Sequence, residues 1–179
     1  MNEKPSYLGL LNAISNAEGD AQQYLAAWAA TTQREDVKAI ISTVALREGE
    51  HSLAFAKRMC ELGYEVQPRE DPKCAQRMAI ASSCTLSDFE KFEQLGLGEP
   101  VAEGAPDVFT SMFADTTIDI QTGGLLGRYI AEERDSGRLF RSCREVLECE
   151  AATAAPAASA ERLDRIEALL EQLVTKLGS

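Results

Sequence analysis

The sequence predicts an all-α protein, a helical bundle with an amphipathic helix tethered at its C-terminal end. Large apolar residues recur at steps of three and four in three separate stretches, within residues 7–32, 37–62 and 163–177. No stretch alternates with period two for long enough to argue a sheet. Proline and glycine gather in short segments at 63–72 and 96–106, which read as connectors between helices. With 179 residues, 45% hydrophobic and 26% charged, the chain is long enough to bury one sizeable core.

Residues 7–32 are rich in Ala, Leu and Gln, and Leu11, Ile14, Leu25 and Trp28 fall on one helical face. Thr31 to Asp36 interrupt that pattern. Glu35 or Asp36 is placed to cap a second helix, whose stripe runs Val37, Ile41, Val44, Phe55, Met59 and Leu62, and Gly63 ends it. Two helices of similar length joined by so short a link must fold back as an antiparallel hairpin. Pro68 and Pro72 sit among charges in a connector, and Met78, Ile80, Leu86, Phe89, Phe92 and Leu95 then suggest a third, less regular helical stretch. After the loop 96–106, Asp107 is positioned to cap a helix running towards Glu150. Gly123-Gly124 is a point where that helix bends or breaks, so one helix or two satisfies the pattern.

Residues 1–150 are therefore expected to form the main helical domain, 151–160 an Ala/Pro/Ser linker, and 161–179 a C-terminal helix. Leu163, Ile166, Leu170, Leu173 and Leu177 in that helix make an a/d seam too short to be stable alone. Such a seam needs a partner surface, which points to a homo-oligomer or a docking helix.

Eighteen basic against twenty-nine acidic residues give a net charge of −11, which repels phosphate backbones and anionic lipid headgroups. Nucleic acid and membrane surfaces are disfavoured as partners, whereas cations are admissible. No apolar run approaches bilayer-spanning length and the start lacks a signal peptide, so a cytoplasmic location is expected. Five cysteines without a Cys-x-x-Cys motif argue for neither a disulfide framework nor a zinc ribbon.

The informative feature is a conflict inside the first two helices. Glu18 occupies a position of the first apolar stripe, and Glu48 and His51, the single histidine, interrupt the second. An unpaired buried carboxylate costs about several kcal/mol, so something must compensate it. In an antiparallel hairpin turning near residue 33, Glu18 and Glu48 lie level on facing helices, each about 22 Å from the turn. His51 follows one turn along the same face. Two oxygen donors and an imidazole converging between helices suit Fe or Mn, with Zn admissible.

Ala17-Glu18-Gly19-Asp20-Ala21-Gln22-Gln23-Tyr24 and Arg47-Glu48-Gly49-Glu50-His51-Ser52 resemble the ferritin-like superfamily, especially rubrerythrin-type and encapsulated-ferritin-type proteins. The resemblance covers residues 7–63. It implies a ferritin-like four-helix bundle holding a carboxylate-bridged di-iron centre, with Glu18, Glu48 and His51 as half of its ligands. The helix containing Tyr129-Ile-Ala-Glu-Glu-Arg-Asp135 is similar to the second Glu-x-x-His helix of that family, with Glu132 and Asp135 standing where Glu and His would be. Glu133 is a rival for Glu132, since it shares a face with Ile130 and Phe140. Asp115 and Asp119 are candidates only if the chain bends back near Gly123.

One histidine leaves two ways to complete the site: Glu132 and Asp135 of the same chain, or a second copy about a two-fold axis. The activity implied is oxidation of iron, or reaction with dioxygen or peroxide, of a ferroxidase or peroxidase kind. Tyr24 and Trp28 lie near enough to supply electrons, although aromatics at that spacing are more often core. The missing second histidine favours the competing reading, a non-catalytic assembly or cargo protein with a degenerate site. A terminal amphipathic helix also resembles the tags that carry cargo into protein shells.

Overall fold

The structure, a computed structural model, describes residues 4–100, 107 and 109–177. Side chains at 111, 113, 154–164 and 166–177 lie outside that description. Among the described residues every regular element is helical: α1 (Leu8–Thr31), α2 (Glu35–Glu61), α3 (Cys74–Ala81), α4 (Asp88–Leu95), a 3-10 turn (Thr110–Phe113) and α5 (Ile120–Leu177). This is the all-α class that the periodicity predicts. No helix among these residues is long and apolar enough to cross a membrane.

The hairpin forms as expected. Thr32 and Arg34 adopt extended backbone between α1 and α2, and the Arg34 amide donates to Thr32 Oγ1 at 3.2 Å. Glu35 and Asp36 stand in the first turn of α2 rather than at its cap, where their charge complements the helix dipole. Gly63 leaves α2 with φ 84°, the left-handed conformation that glycine adopts without a Cβ penalty.

The irregular third stretch is two short helices. Residues 82–87 separate them, and Ser87 restarts the chain with a capping box. Its hydroxyl accepts from the Glu90 amide, and the Glu90 carboxylate accepts from the Ser87 amide at 2.7 Å. The last long helix starts later than expected. Asp107 accepts from the Phe109 amide in a turn, and Asp119 begins α5 by accepting from the amides of Gln121 and Thr122. Gly123 and Gly124 lie inside α5 without ending it. Two adjacent glycines weaken a helix, but Asp119 anchors this end through Arg58 and Tyr7 as well.

The backbone of 151–160 also belongs to α5. The segment expected as a linker is thus assigned to helix, consistent with the high helix propensity of its seven alanines. The seam Leu163 to Leu177 lies outside the described side chains. Among the described residues the result is a helical bundle of three long helices and two short ones. Residues 73–95 contain neither Pro nor Gly, and the third helical stretch breaks there because Ser83 Oγ takes the Thr85 and Leu86 amides into a turn and Ser87 caps a new helix.

Two apolar clusters fill this bundle. One, at the hairpin turn, gathers Leu25, Trp28, Val37, Ile41 and Val44 with Phe92 of α4 and Phe140 and Leu147 of α5. The other, at the open end of the hairpin, gathers Leu11, Ile14, Phe55 and Met59 with Leu126, Tyr129 and Ile130. Trp28 is wholly buried and meets the Phe92 ring edge-on at 4.8 Å, while its indole N–H donates to Asp88 Oδ1 at 2.6 Å. Phe92 in turn meets Phe140 at 5.9 Å, so a single ring ties α4 to both α1 and α5. Lys91 beside it is also fully buried, and its ammonium donates to Thr31 Oγ1 and the Ala81 carbonyl, at the C-terminal ends of α1 and α3. Phe92→Ala is expected to cost about 3–5 kcal/mol, read as a lower urea midpoint with little change in slope.

Candidate metal centre

Between the two apolar clusters lies a polar one. Glu18 of α1, Glu48 and His51 of α2 and Glu133 of α5 each offer a ligand atom, and these atoms all lie within 4.8 Å of one another. Glu18, Glu48 and His51 are 8%, 5% and 4% exposed, so water reaches none of them freely. Donors held at about 2.0–2.2 Å by one ion lie at most about 4.4 Å apart, so small side-chain adjustments would seat a cation here.

The two helices approach closely at this level, and small residues make that possible. A Cβ on Gly19 would come within 3.1 Å of Ser52 Oγ, and one on Gly49 within 3.1 Å of Gln22 Cγ. Just beyond, the helices exchange two hydrogen bonds: Ser15 Oγ donates to the Ser52 carbonyl at 3.1 Å and Ser52 Oγ to the Ser15 carbonyl at 2.7 Å. The register that carries these contacts also puts Glu18 opposite Glu48, as the hairpin arithmetic predicts.

Glu133, not Glu132, completes the cluster. Consecutive helical residues point about 100° apart, so only one of the pair can face the seam. Glu133 shares that face with Tyr129 and Ile130, whereas Glu132 turns towards the groove between α5 and α2 and is 2.7 Å from His51 Nε2. Asp135 lies farther round the helix. It pairs with Arg47 at 2.8 Å and Arg138 at 2.7 Å and takes no part in the cluster. Asp115 accepts from Ser6 and Thr117, and Asp119 from Tyr7, Arg58 and Thr122, so both cap local structure. Tyr129, which the motif reading passed over, donates its hydroxyl to Glu18 Oε1 at 2.7 Å and meets the His51 ring edge-on at 5.0 Å. Its position four residues before Glu133, on the same helical face, is the signal that would have found it.

Three buried atoms of this cluster have no hydrogen-bond partner: Glu48 Oε2, His51 Nδ1 and Glu133 Oε1. Nδ1 is 3.7 Å from Glu48 Oε2 and 3.4 Å from Glu133 Oε1, so the orphaned atoms face one another. Buried polar groups are normally satisfied, and an orphan invites an unseen water or ion.

Without a cation, protons hold the charges together. Burial, with a hydrogen bond to Glu48, pushes Glu18 up to about 9. Burial also raises Glu133; burial works the same way on Glu48, but the neighbouring His51 imidazole and Glu18 carboxyl outweigh it and hold Glu48 below the usual carboxylate value. Burial works against the His51 charge, but the Glu133 and Glu48 carboxylates facing Nδ1 and the Glu132 carboxylate bonded to Nε2 override it and push the imidazole up to about 10. A cation would displace such protons.

No protein-family model, curated protein or solved structure matches the chain. Fold and site together define an all-helical protein with a buried cluster of three carboxylates and one imidazole.

These raised values set the pH response of the metal-free protein. Glu18 and His51 both bind a proton more tightly folded than unfolded, so the stability each contributes is complete below its ordinary value. It is lost as pH rises, between about 4.5 and about 9 for Glu18 and between about 6.5 and about 10 for His51. Thermal unfolding in chelator should therefore give a lower Tm near pH 9 than near pH 6. Glu18→Gln, which stays neutral, should flatten that decline, and an undiminished decline would show that Glu18 does not hold the proton.

Proposed function

We propose that this chain is a ferritin-like metal protein in which Glu18, Glu48, His51 and Glu133 hold iron, as one ion or as a pair sharing the carboxylates. Its activity on this reading is oxidation of ferrous iron, or reaction with dioxygen or peroxide. The observation that carries the reading is the convergence of three unpartnered buried atoms from α2 and α5 with the Glu18 carboxylate of α1. An oxygen-rich set with one imidazole suits iron or manganese best, with zinc admissible. Bound iron would supply one-electron redox chemistry towards dioxygen or peroxide.

The residues divide the remaining work. Glu18, Glu48 and Glu133 bring negative charge that favours a higher oxidation state, and Tyr129 holds the Glu18 carboxylate through Oε1. Leu11, Ile14, Phe55 and the other apolar neighbours exclude bulk water from one end. A cavity of about 420 Å³ lined by His51, Leu53, Arg128 and Tyr129 opens between α2 and α5 and is a path for small reactants. The Glu18 and Glu48 motifs and their resemblance to ferritin-like proteins support the same reading.

His51 is the only histidine, an observation that favours a second reading, an assembly protein with a degenerate site that oligomerises or docks through its C-terminal helix, within a protein shell on the cargo version of that reading. Aerobic titration with ferrous iron separates the two. Saturable near-ultraviolet absorbance growth is expected in the native protein and its loss in a Glu48→Ala, His51→Ala double variant. Identical traces would overturn the metal reading, and metal analysis of the loaded protein would count the ions per chain.

A further inference from the structure

Glu132 stands outside the cluster and commits one oxygen to the outer face of His51 and the other to Arg128. Oε2 is 2.7 Å from His51 Nε2, and Oε1 accepts from Arg128 Nε at 2.9 Å. Arg128 reaches on to Glu50 of α2 at 3.4 Å, so one guanidinium bridges the two helices over the groove beside His51. The other imidazole nitrogen, Nδ1, is buried without a hydrogen-bond partner and faces Glu48 and Glu133.

A neutral imidazole has one N–H and one lone pair, and an ionised carboxylate only accepts. Facing Glu132, Nε2 must keep its hydrogen, so when a cation displaces the second proton the lone pair is on Nδ1, aimed at the carboxylate cluster. The Tyr129 ring, edge-on to His51, restrains the plane of the imidazole but cannot choose its tautomer. We propose that Glu132 is a positioning residue that fixes His51 as an Nδ1 donor to a cation held by Glu18, Glu48 and Glu133, and that Arg128 holds Glu132 in place. The inference rests on the metal reading and deepens it. Two adjacent glutamates thus divide the work: Glu133 faces the cation and Glu132 orients the imidazole from behind. A carboxylate there does more than a groove water would, because its charge raises the basicity of the ligand as well as fixing its tautomer.

The single histidine makes the test direct, since protein grown on 15N-labelled histidine shows one imidazole. Zn²⁺, which is diamagnetic, is the probe. On loading, the wild type is expected to show Nδ1 shifted by the metal and Nε2 carrying a slowly exchanging proton. Glu132→Gln keeps this pattern, because its amide oxygen accepts the same bond. Glu132→Leu loses the slow Nε2 proton and weakens Zn²⁺ binding about 10–100-fold. Arg128→Met, which leaves Glu132 and all four ligands in place, speeds the exchange of that proton and serves if the leucine variant does not fold. An unchanged Nε2 proton with Zn²⁺ affinity within about twofold of wild type, in Glu132→Leu or failing that in Arg128→Met, overturns the proposal, as does metal on Nε2 in the wild type. A wild-type imidazole untouched by Zn²⁺ overturns the metal reading itself, and this inference with it.

Discussion

Glu18, Glu48 and Glu133 bring three carboxyl groups into the seam between three helices, where burial disfavours charge and every oxygen needs a proton, a hydrogen bond or a cation. The surroundings can be read as the answers to that constraint. Tyr129 supplies a hydroxyl to Glu18, and His51 offers an N–H to Glu132 on its outer side. What is left over is concentrated in three atoms that face one another. Replacing such a cluster with leucines would suit an apolar bundle better, so its presence is an argument for a role other than stability.

The constraint reaches back into how α1 and α2 pack. Long side chains at 19 and 49 would hold the helices apart and leave Glu18 and Glu48 beyond reach of a shared proton or ion. Glycine at both positions, with the reciprocal Ser15 and Ser52 hydrogen bonds, brings the backbones together at the level of the cluster. The two apolar clusters then lock the arrangement from either side. Trp28, Phe92 and Phe140 interlock α1, α4 and α5 at the turn, and Phe55 and Tyr129 join α2 to α5 at the other end, their rings 5.3 Å apart. A polar centre with rigid apolar flanks can hold its donors in place without relying on their own contacts.

Tyr129 belongs to both worlds. Its ring packs among Phe55, Phe109 and His51, and its hydroxyl reaches the buried carboxylate. Burial, reinforced by the Glu18 and Glu133 charges, pushes its phenol well above the ordinary range, so it remains a donor. Trp28, by contrast, satisfies its indole with Asp88 in the apolar cluster at the turn, which makes it a core residue first.

Local pattern was enough to read the hairpin, its register and three members of the cluster. Those follow from helical periodicity and from the arithmetic of an antiparallel turn, which depend only on residue spacing. The fourth member was not legible to the same degree. Glu132 and Glu133 differ by one residue, and which of them faces the seam depends on how α5 is rotated against α2, a property of packing between elements distant in sequence. The same packing sent Asp135 to Arg47, and Asp119 to Arg58 and Tyr7, pairings across the sequence for which no short-range pattern exists. Whether the irregular third stretch is one helix or two was likewise decided by the turn at residues 82–87. Spacing along one chain thus settled which acidic residues are buried together on α1 and α2. Only the rotation of α5 on that hairpin decided which glutamate meets them and which stands behind the histidine.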